Sequence, residues 1–254
     1  MGQKRSPEGK RRILIAGPLY VDVFCQDGSA NAPAVCLFHG GGFVGGSPKM
    51  LAELAAEISK SGITVVTPSY RTLDGHGATV FDAIEDAHNV CIWFAQWARG
   101  RPTILIGGAS AGGLLAVHAF SRMPNSFSGM ILMNPVTNTS ENGFSNRQIS
   151  VGVHSSVSPH SMARALPKAP TLILHSVSDQ VVPISQTDEF IRKWNNPKLR
   201  LVRWPKGPHG FFNTSEFRAE AALEVTKFIF SEKRRDPNYV LARLLLRLRC
   251  WFAS

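Results

Sequence analysis

The run Ile104-Leu105-Ile106-Gly107-Gly108-Ala109-Ser110-Ala111-Gly112-Gly113 restricts the fold of this chain more than any other stretch. A short apolar segment breaks at Gly108-Ala109-Ser110-Ala111-Gly112, and an apolar, helix-permissive segment follows. A G-x-S-x-G pattern between a strand and a helix seats its serine on a sharp turn in strained backbone, with the hydroxyl exposed at the helix N-terminus. Glycines two positions before and two after the serine leave room where strand and helix nearly collide. A Gly-rich turn without chemistry is the plainer reading of the same residues. Three other segments weigh against it.

The hydrophobic periodicity around this turn alternates between strand and helix. Apolar or alternating runs predict strands over 19–24, 35–38, 63–67, 104–109, 129–133, 171–175 and 199–204. Helical spacing predicts helices over 49–61, 80–98, 111–121, 185–194 and 219–230, with a Gly-rich loop over 72–79 and a short helix near 161–166. In the helix over 80–98, Phe81, Ile84, Ala87, Val90, Cys91, Phe94 and Trp97 are expected to face inward. The continuous apolar runs at 35–38 and 171–174 suit strands buried on both faces. The fold class is therefore α/β, a mostly parallel central sheet with helices on both faces. At 254 residues the chain has room for one such domain and its core, placed at 13–232, with no internal repeat. Its polar, irregular segment 136–169 is expected to form a small cap or a lining loop.

Charge decides against one class of partner. Of the net +10, residues 1–12 carry +4 and residues 233–254 carry +5, leaving +1 on the body. A nucleic-acid groove would put its charge on the folded surface, so no nucleic-acid partner is expected. The first twelve residues read as a basic, disordered leader ahead of a first strand. They resemble a signal peptide, but Gly17-Pro18 interrupts the apolar run and Asp22 follows soon after. No run reaches the ~18 apolar residues of a membrane-spanning helix. Cys25, Cys36, Cys91 and Cys250 have no metal-ligand spacing and read as thiols, the first three buried, which fits a cytoplasmic, reducing compartment.

The second informative stretch is His39-Gly40-Gly41-Gly42-Phe43, which follows a buried strand. Consecutive glycines expose backbone N–H groups that suit an oxyanion. No Walker or dinucleotide spacing accompanies them, so a phosphate cradle is not indicated. His39 is expected to hold this loop by hydrogen bonding rather than to act as a base, and His88 to be structural. The third stretch is Ser178-Asp179-Gln180-Val181-Val182-Pro183, and the fourth is His209-Gly210-Phe211. Ser110, Asp179 and His209 each lie just after a predicted strand, and in a parallel sheet such loops share one edge. Their order is Ser…Asp…His. Ser110 would be the nucleophile, His209 the base and Asp179 its orienting acid, with the N–H groups of Gly41, Gly42 and Ala111 as oxyanion donors. The rival acids Asp74 and Asp188 do not follow strands at that edge. Of the rival imidazoles, His154 and His160 fall in the polar insertion, and His175 precedes the acid on its own strand.

These motifs, with Tyr70-Arg71 and Gly107–Gly113, resemble the α/β-hydrolase esterases. The resemblance spans about 13–232 and is strongest to the hormone-sensitive-lipase-like (family IV) bacterial esterases and to the related acetyl and feruloyl esterases. It implies an α/β-hydrolase fold with a reduced cap and a carboxylic ester hydrolase acting on short acyl chains with no metal or organic cofactor. Ala109 stands where those enzymes usually carry Asp, Thr72–Ala78 replaces their Pro-rich segment, and their helical cap is much reduced here. The substrate is therefore expected to be a small acyl ester, or an ester on a larger polymer. An amidase, peptidase or formamidase could use the same residues. A non-catalytic binding protein of this fold would be expected to have lost one of them.

The tail 233–254 places Val240, Leu241, Leu244, Leu245, Leu248, Trp251 and Phe252 on one helical face beside Arg243 and Arg247. Three readings stand: contact with a membrane surface, docking on the body or on a second copy as a homodimer, and a disordered end.

Overall fold

The computed structural model describes residues 10–26, 31–140, 142–146, 149 and 155–235. Eight strands form one sheet: β1 Lys10–Ala16, β2 Leu19–Phe24, β3 Ala34–Phe38, β4 Thr64–Pro68, β5 Ile104–Ala109, β6 Gly129–Met133, β7 Thr171–Ser176 and β8 Leu199–Trp204. Their order is β1-β2-β4-β3-β5-β6-β7-β8. The β1–β2 and β2–β4 pairs are antiparallel, and every pairing from β4 through β8 is parallel. Among the described residues seven helices accompany them: α1 Ala52–Ser59, α2 Leu73–His76, α3 Val80–Trp97, α4 Ala111–Arg122, α5 Pro159–Met162, α6 Ile184–Trp194 and α7 Arg218–Arg235.

Strand alternation divides the core in two. Cys36, Phe38, Val66, Ile106, Leu132 and Ile173 point to the side packed by α3, α4 and α6. Their neighbours Val35, Leu37, Val65, Leu105, Ile131 and Leu172 point to the side packed by α1 and α7. Both faces of the central strands are therefore dry, which accounts for their unbroken apolar runs. The parallel pairing carries the C-terminal ends of β3, β5, β6, β7 and β8 to one edge of the sheet, where their loops converge.

Three sequence expectations are corrected. The leader boundary at residue 12 falls too late, because Lys10, Arg11 and Arg12 are already in β1. The cause is Asp22 on β2, fully buried and paired with Lys10 at 2.9 Å and Arg12 at 2.7 Å. Burial favours the neutral acid there, but the hydrogen bonds from Arg12 and Lys10 outweigh it and lower the Asp22 pKa. Phe81 is 50% exposed rather than inward. A capping box between Thr79 and Asp82 sets the start of α3, and the buried stripe runs through Val80, Ala83, Ile84, Ala87, Val90, Cys91 and Phe94, leaving position 81 outside it. Cys25 is half-buried, whereas Cys36 and Cys91 are buried as expected. The loop over 72–79 contains the single turn α2, closed by Gly77 at φ 64°.

Segment 136–169 contributes only α5 and short 3-10 turns among its described residues. No helix among the described residues is long and apolar enough to cross a membrane. The leader before residue 10 and the tail beyond residue 235 lie outside the described residues.

Candidate active site

Ser110 caps α4 directly after β5, with φ 54° and ψ −120°, backbone that a non-glycine residue rarely adopts. Neighbouring backbone holds it there. The Ser110 N–H donates to Met133 O on β6, and its carbonyl accepts from Gly113 and Val136. The turn is tight enough that a Cβ at Gly112 would sit 2.2 Å from Phe38 O. Among described non-glycine residues with positive φ, Phe43, Ser110 and Asn134 all belong to loops at this edge. Backbone strain gathers where the geometry is unusual. Ala111 is the first residue of α4, so its N–H is one of the four that a helix leaves without an internal partner.

The glycine loop after β3 is pinned from behind. The His39 ring stacks on Tyr70 at 4.2 Å between centroids. His39 Nδ1 lies 2.6 Å from Gly40 O, and because a carbonyl only accepts, Nδ1 carries the hydrogen. Burial, partly offset by that bond to Gly40, pushes the His39 pKa down to about 4, so the ring is neutral near pH 7. The Tyr70 hydroxyl lies 3.0 Å from both His39 O and Gly40 O. In a trans peptide the C=O of Gly40 and the N–H of Gly41 point in opposite directions. Two donors on Gly40 O therefore turn the Gly41 N–H away from His39 and Tyr70. Gly41 itself must be glycine: φ is 111°, and a Cβ would lie 2.1 Å from Gly45 O. From the insertion, Asn146 Nδ2 donates to Gly42 O at 2.9 Å.

Asp179 follows β7 and His209 follows β8, and their side chains meet. His209 Nδ1 is 2.6 Å from Asp179 Oδ2. The other oxygen, Oδ1, accepts the N–H groups of Val181 at 2.8 Å and Val182 at 2.9 Å. Burial would raise the Asp179 pKa, but His175, His209 and the Val182 N–H together hold it well below the usual carboxylate range. Asp179 is thus an ion at neutral pH, and it holds the hydrogen of His209 on Nδ1. That leaves His209 Nε2 as the basic nitrogen.

Ser110 and His209 line one cavity of about 380 Å³ together with Gly40, Gly41 and Gly42. The remaining wall is largely apolar, including Val44, Met50, Leu51, Phe144, Val181 and Phe212. The rival residues are engaged elsewhere. Asp188 pairs with Arg203 on the surface, and Asp74 is exposed on α2. His175 is fully buried, bonded through Nε2 to Val182 O and through Nδ1 to Thr187 Oγ1. His160 is on α5 and does not line the cavity; His154 lies outside the described residues. Among the described residues no group of three or more His, Cys, Asp or Glu side chains could hold a metal ion.

A family profile described as alpha/beta hydrolase fold matches residues 35–169, more than half of the chain. The chain belongs to that family. This hydrolase-fold protein is similar to an esterase of Gibberella moniliformis (strain M3125 / FGSC 7600), with 30% identity over 135 residues. That match covers 48% of this chain and 42% of the relative, so it spans about two fifths of the relative's length. Among solved structures it is similar to esterase 2 of the planctomycete Thermogutta terrifontis. The native form aligns with a TM-score of 0.71 at 23% identity, covering 88% of this chain and 92% of that one. The form phosphoramylated by tabun aligns with a TM-score of 0.72 at 22% identity, over 88% and 93%. At that identity the likeness concerns the fold of this hydrolase-fold protein.

In the sequence Tyr70 has no role as a loop anchor, and Asn134 is marked only as the residue that ends a predicted strand. Asn134 directly follows β6 and reaches both Asp179 and His209. Its signal was present, since it is a polar residue just past a buried strand at the edge that carries Ser110, Asp179 and His209.

Proposed function

We propose that this protein is a serine carboxylesterase that acts through an acyl-enzyme on short-chain esters. The observation that carries the reading is the 2.6 Å His209–Asp179 contact beside a cavity that His209 shares with Ser110. In the proposed cycle, His209 Nε2 takes the proton from Ser110 Oγ as that oxygen bonds to the ester carbonyl carbon. The carbonyl π pair moves onto oxygen, and the N–H groups of Gly41, Gly42 and Ala111 donate hydrogen bonds to the resulting oxyanion. Collapse re-forms the carbonyl and breaks the bond to the alcohol, which leaves with the proton from His209. Water then repeats the sequence on the acyl-enzyme, with His209 again as base, and releases the acid and Ser110. Throughout, the Asp179 carboxylate stabilises the imidazolium. A cavity of about 380 Å³ lies near the lower end of ligand pockets, which supports a short acyl group. The similar Thermogutta terrifontis esterase 2 is known with butyrate and with propionate bound.

A p-nitrophenyl acyl series tests this reading. Turnover is expected to be fastest between acetate and butyrate and to fall by roughly tenfold or more at octanoate, as the added methylenes outgrow the pocket. No turnover of any ester, with normal turnover of an anilide or formamide, would replace the esterase by an amidase. The oxyanion assignment makes a second expectation. Tyr70→Phe keeps the ring on His39 but removes a donor from Gly40 O. It should lower kcat about tenfold with little change in KM, less than the hundredfold or more that loss of a donor itself costs. Gly40 O keeps the His39 Nδ1 hydrogen bond, so losing the hydroxyl should cost only about 1 kcal/mol of stability in a denaturant titration.

A further inference from the structure

Asn134 is fully buried at the end of β6 and takes φ 41°, a left-handed conformation that asparagine tolerates better than most residues. Its backbone N–H donates to Leu174 O on β7. Its side chain makes three bonds. Nδ2 donates to Asp179 Oδ2 at 2.6 Å and to His209 O at 2.5 Å, and Oδ1 accepts the Ser176 N–H at 3.1 Å. The amide orientation follows from the partners, because the reversed amide would set its oxygen against two acceptors. One short side chain therefore ties the end of β6 to the turn that carries the acid and to the loop that carries the base. Ser176 Oγ, which donates to Gly207 O at 2.6 Å, is a second tie between those two loops.

We propose that Asn134 is a positioning residue for the reaction: its amide holds the Asp179 carboxylate and the His209 backbone in register, so that the imidazole meets Ser110. The proposal rests on the serine-esterase reading of Ser110, Asp179 and His209. The chemistry explains why an amide is needed. Two acceptors must be bridged by two donors, while an N–H on the opposite side needs an acceptor, and only Asn or Gln offers that set. Aspartate has the same shape and tolerates the same backbone but cannot donate twice. The titratable groups around this point are Asp179 and His209, with His175 Nε2 3.6 Å from Asp179 Oδ2.

The test compares wild type, Ser110→Ala, Asn134→Gly and Asn134→Asp on p-nitrophenyl butyrate from pH 5 to 9. Asn134→Gly keeps the left-handed backbone and removes the amide. It should lower kcat by roughly tenfold to a hundredfold with KM within threefold. Asn134→Asp puts a second carboxyl against Asp179, and such a pair titrates together with one pKa raised. Its rate should fall with rising pH through an added ionisation between about pH 5 and 8, absent from the wild-type profile. Both variants keeping the wild-type kcat and pH profile, while Ser110→Ala is inactive, would overturn the role of Asn134 and leave the esterase reading intact. A wild type as inactive as Ser110→Ala would overturn the reading and the proposal with it. Should neither Asn134 variant fold, the side-chain amide protons of Asn134 can be followed by NMR in wild type. They should shift as His209 gains its proton, and invariance would overturn the proposal.

Discussion

Ser110→Ala is expected to lower kcat for ester hydrolysis by about ten-thousand- to a million-fold while leaving the fold in place. The size of the effect follows from what the hydroxyl does in the proposed cycle. Without Oγ there is no acyl-enzyme, and His209 has no attacking group to deprotonate. What remains is the cavity and the oxyanion donors, which act weakly on attack by free water. The φ of 54° strains alanine and serine alike, so no backbone adjustment is needed and unfolding by heat should change little. Initial rates on p-nitrophenyl butyrate, paired with circular dichroism, check both halves. A fluorophosphonate should label wild type in proportion to active sites and leave the variant unlabelled. A Ser110→Ala protein within tenfold of wild type would remove Ser110 as nucleophile.

Asp179→Asn should reduce kcat by about ten-thousand-fold with KM nearly unchanged. Local hydrogen bonding dictates the outcome. Oδ1 accepts from the N–H groups of Val181 and Val182, so the amide oxygen of the variant must take that place. Its NH2 then faces His209 Nδ1 and the Asn134 amide. His209 can accept that donor only by moving its hydrogen to Nε2, the nitrogen that should take the proton from Ser110. Steady-state kinetics on the same ester measure the loss. The charge also bears on stability. The native pKa of Asp179 is below its unfolded value, so its contribution is in place above about pH 4 and is withdrawn as pH falls further. The variant should lack that acid-dependent part in urea titrations at pH 7 and pH 3. A rate within tenfold of wild type would show that another acid orients His209.

What can be read from the chain alone is what neighbours in sequence determine. The strands read at 129–133, 171–175 and 199–204 were legible because burial on one or both faces imposes its own pattern over five or six residues. The turn at Ser110 was legible because part of its steric demand is local: a Cβ at Gly108 would lie 2.3 Å from Gly112 O, where strand and helix touch. Ser110, Asp179 and His209 could be named together because a parallel sheet sends every post-strand loop to one edge, whatever the distance along the chain. Three-dimensional packing decided the rest. Lys10 and Arg12 entered β1 because a buried Asp22 on the next strand required cations, and composition saw only a basic leader. The rotation of α3 that left Phe81 half exposed was set by a cap at Thr79 and by the stripe from Val80 to Phe94 that it buries. Tyr70 meets His39 from 31 residues away, and Asn134 meets Asp179 and His209 from 45 and 75. Hydrogen bonds of this kind need atoms placed within a few tenths of an ångström and a common direction. No periodicity encodes that; it arises when eight strands settle into one register and their loops are pressed together.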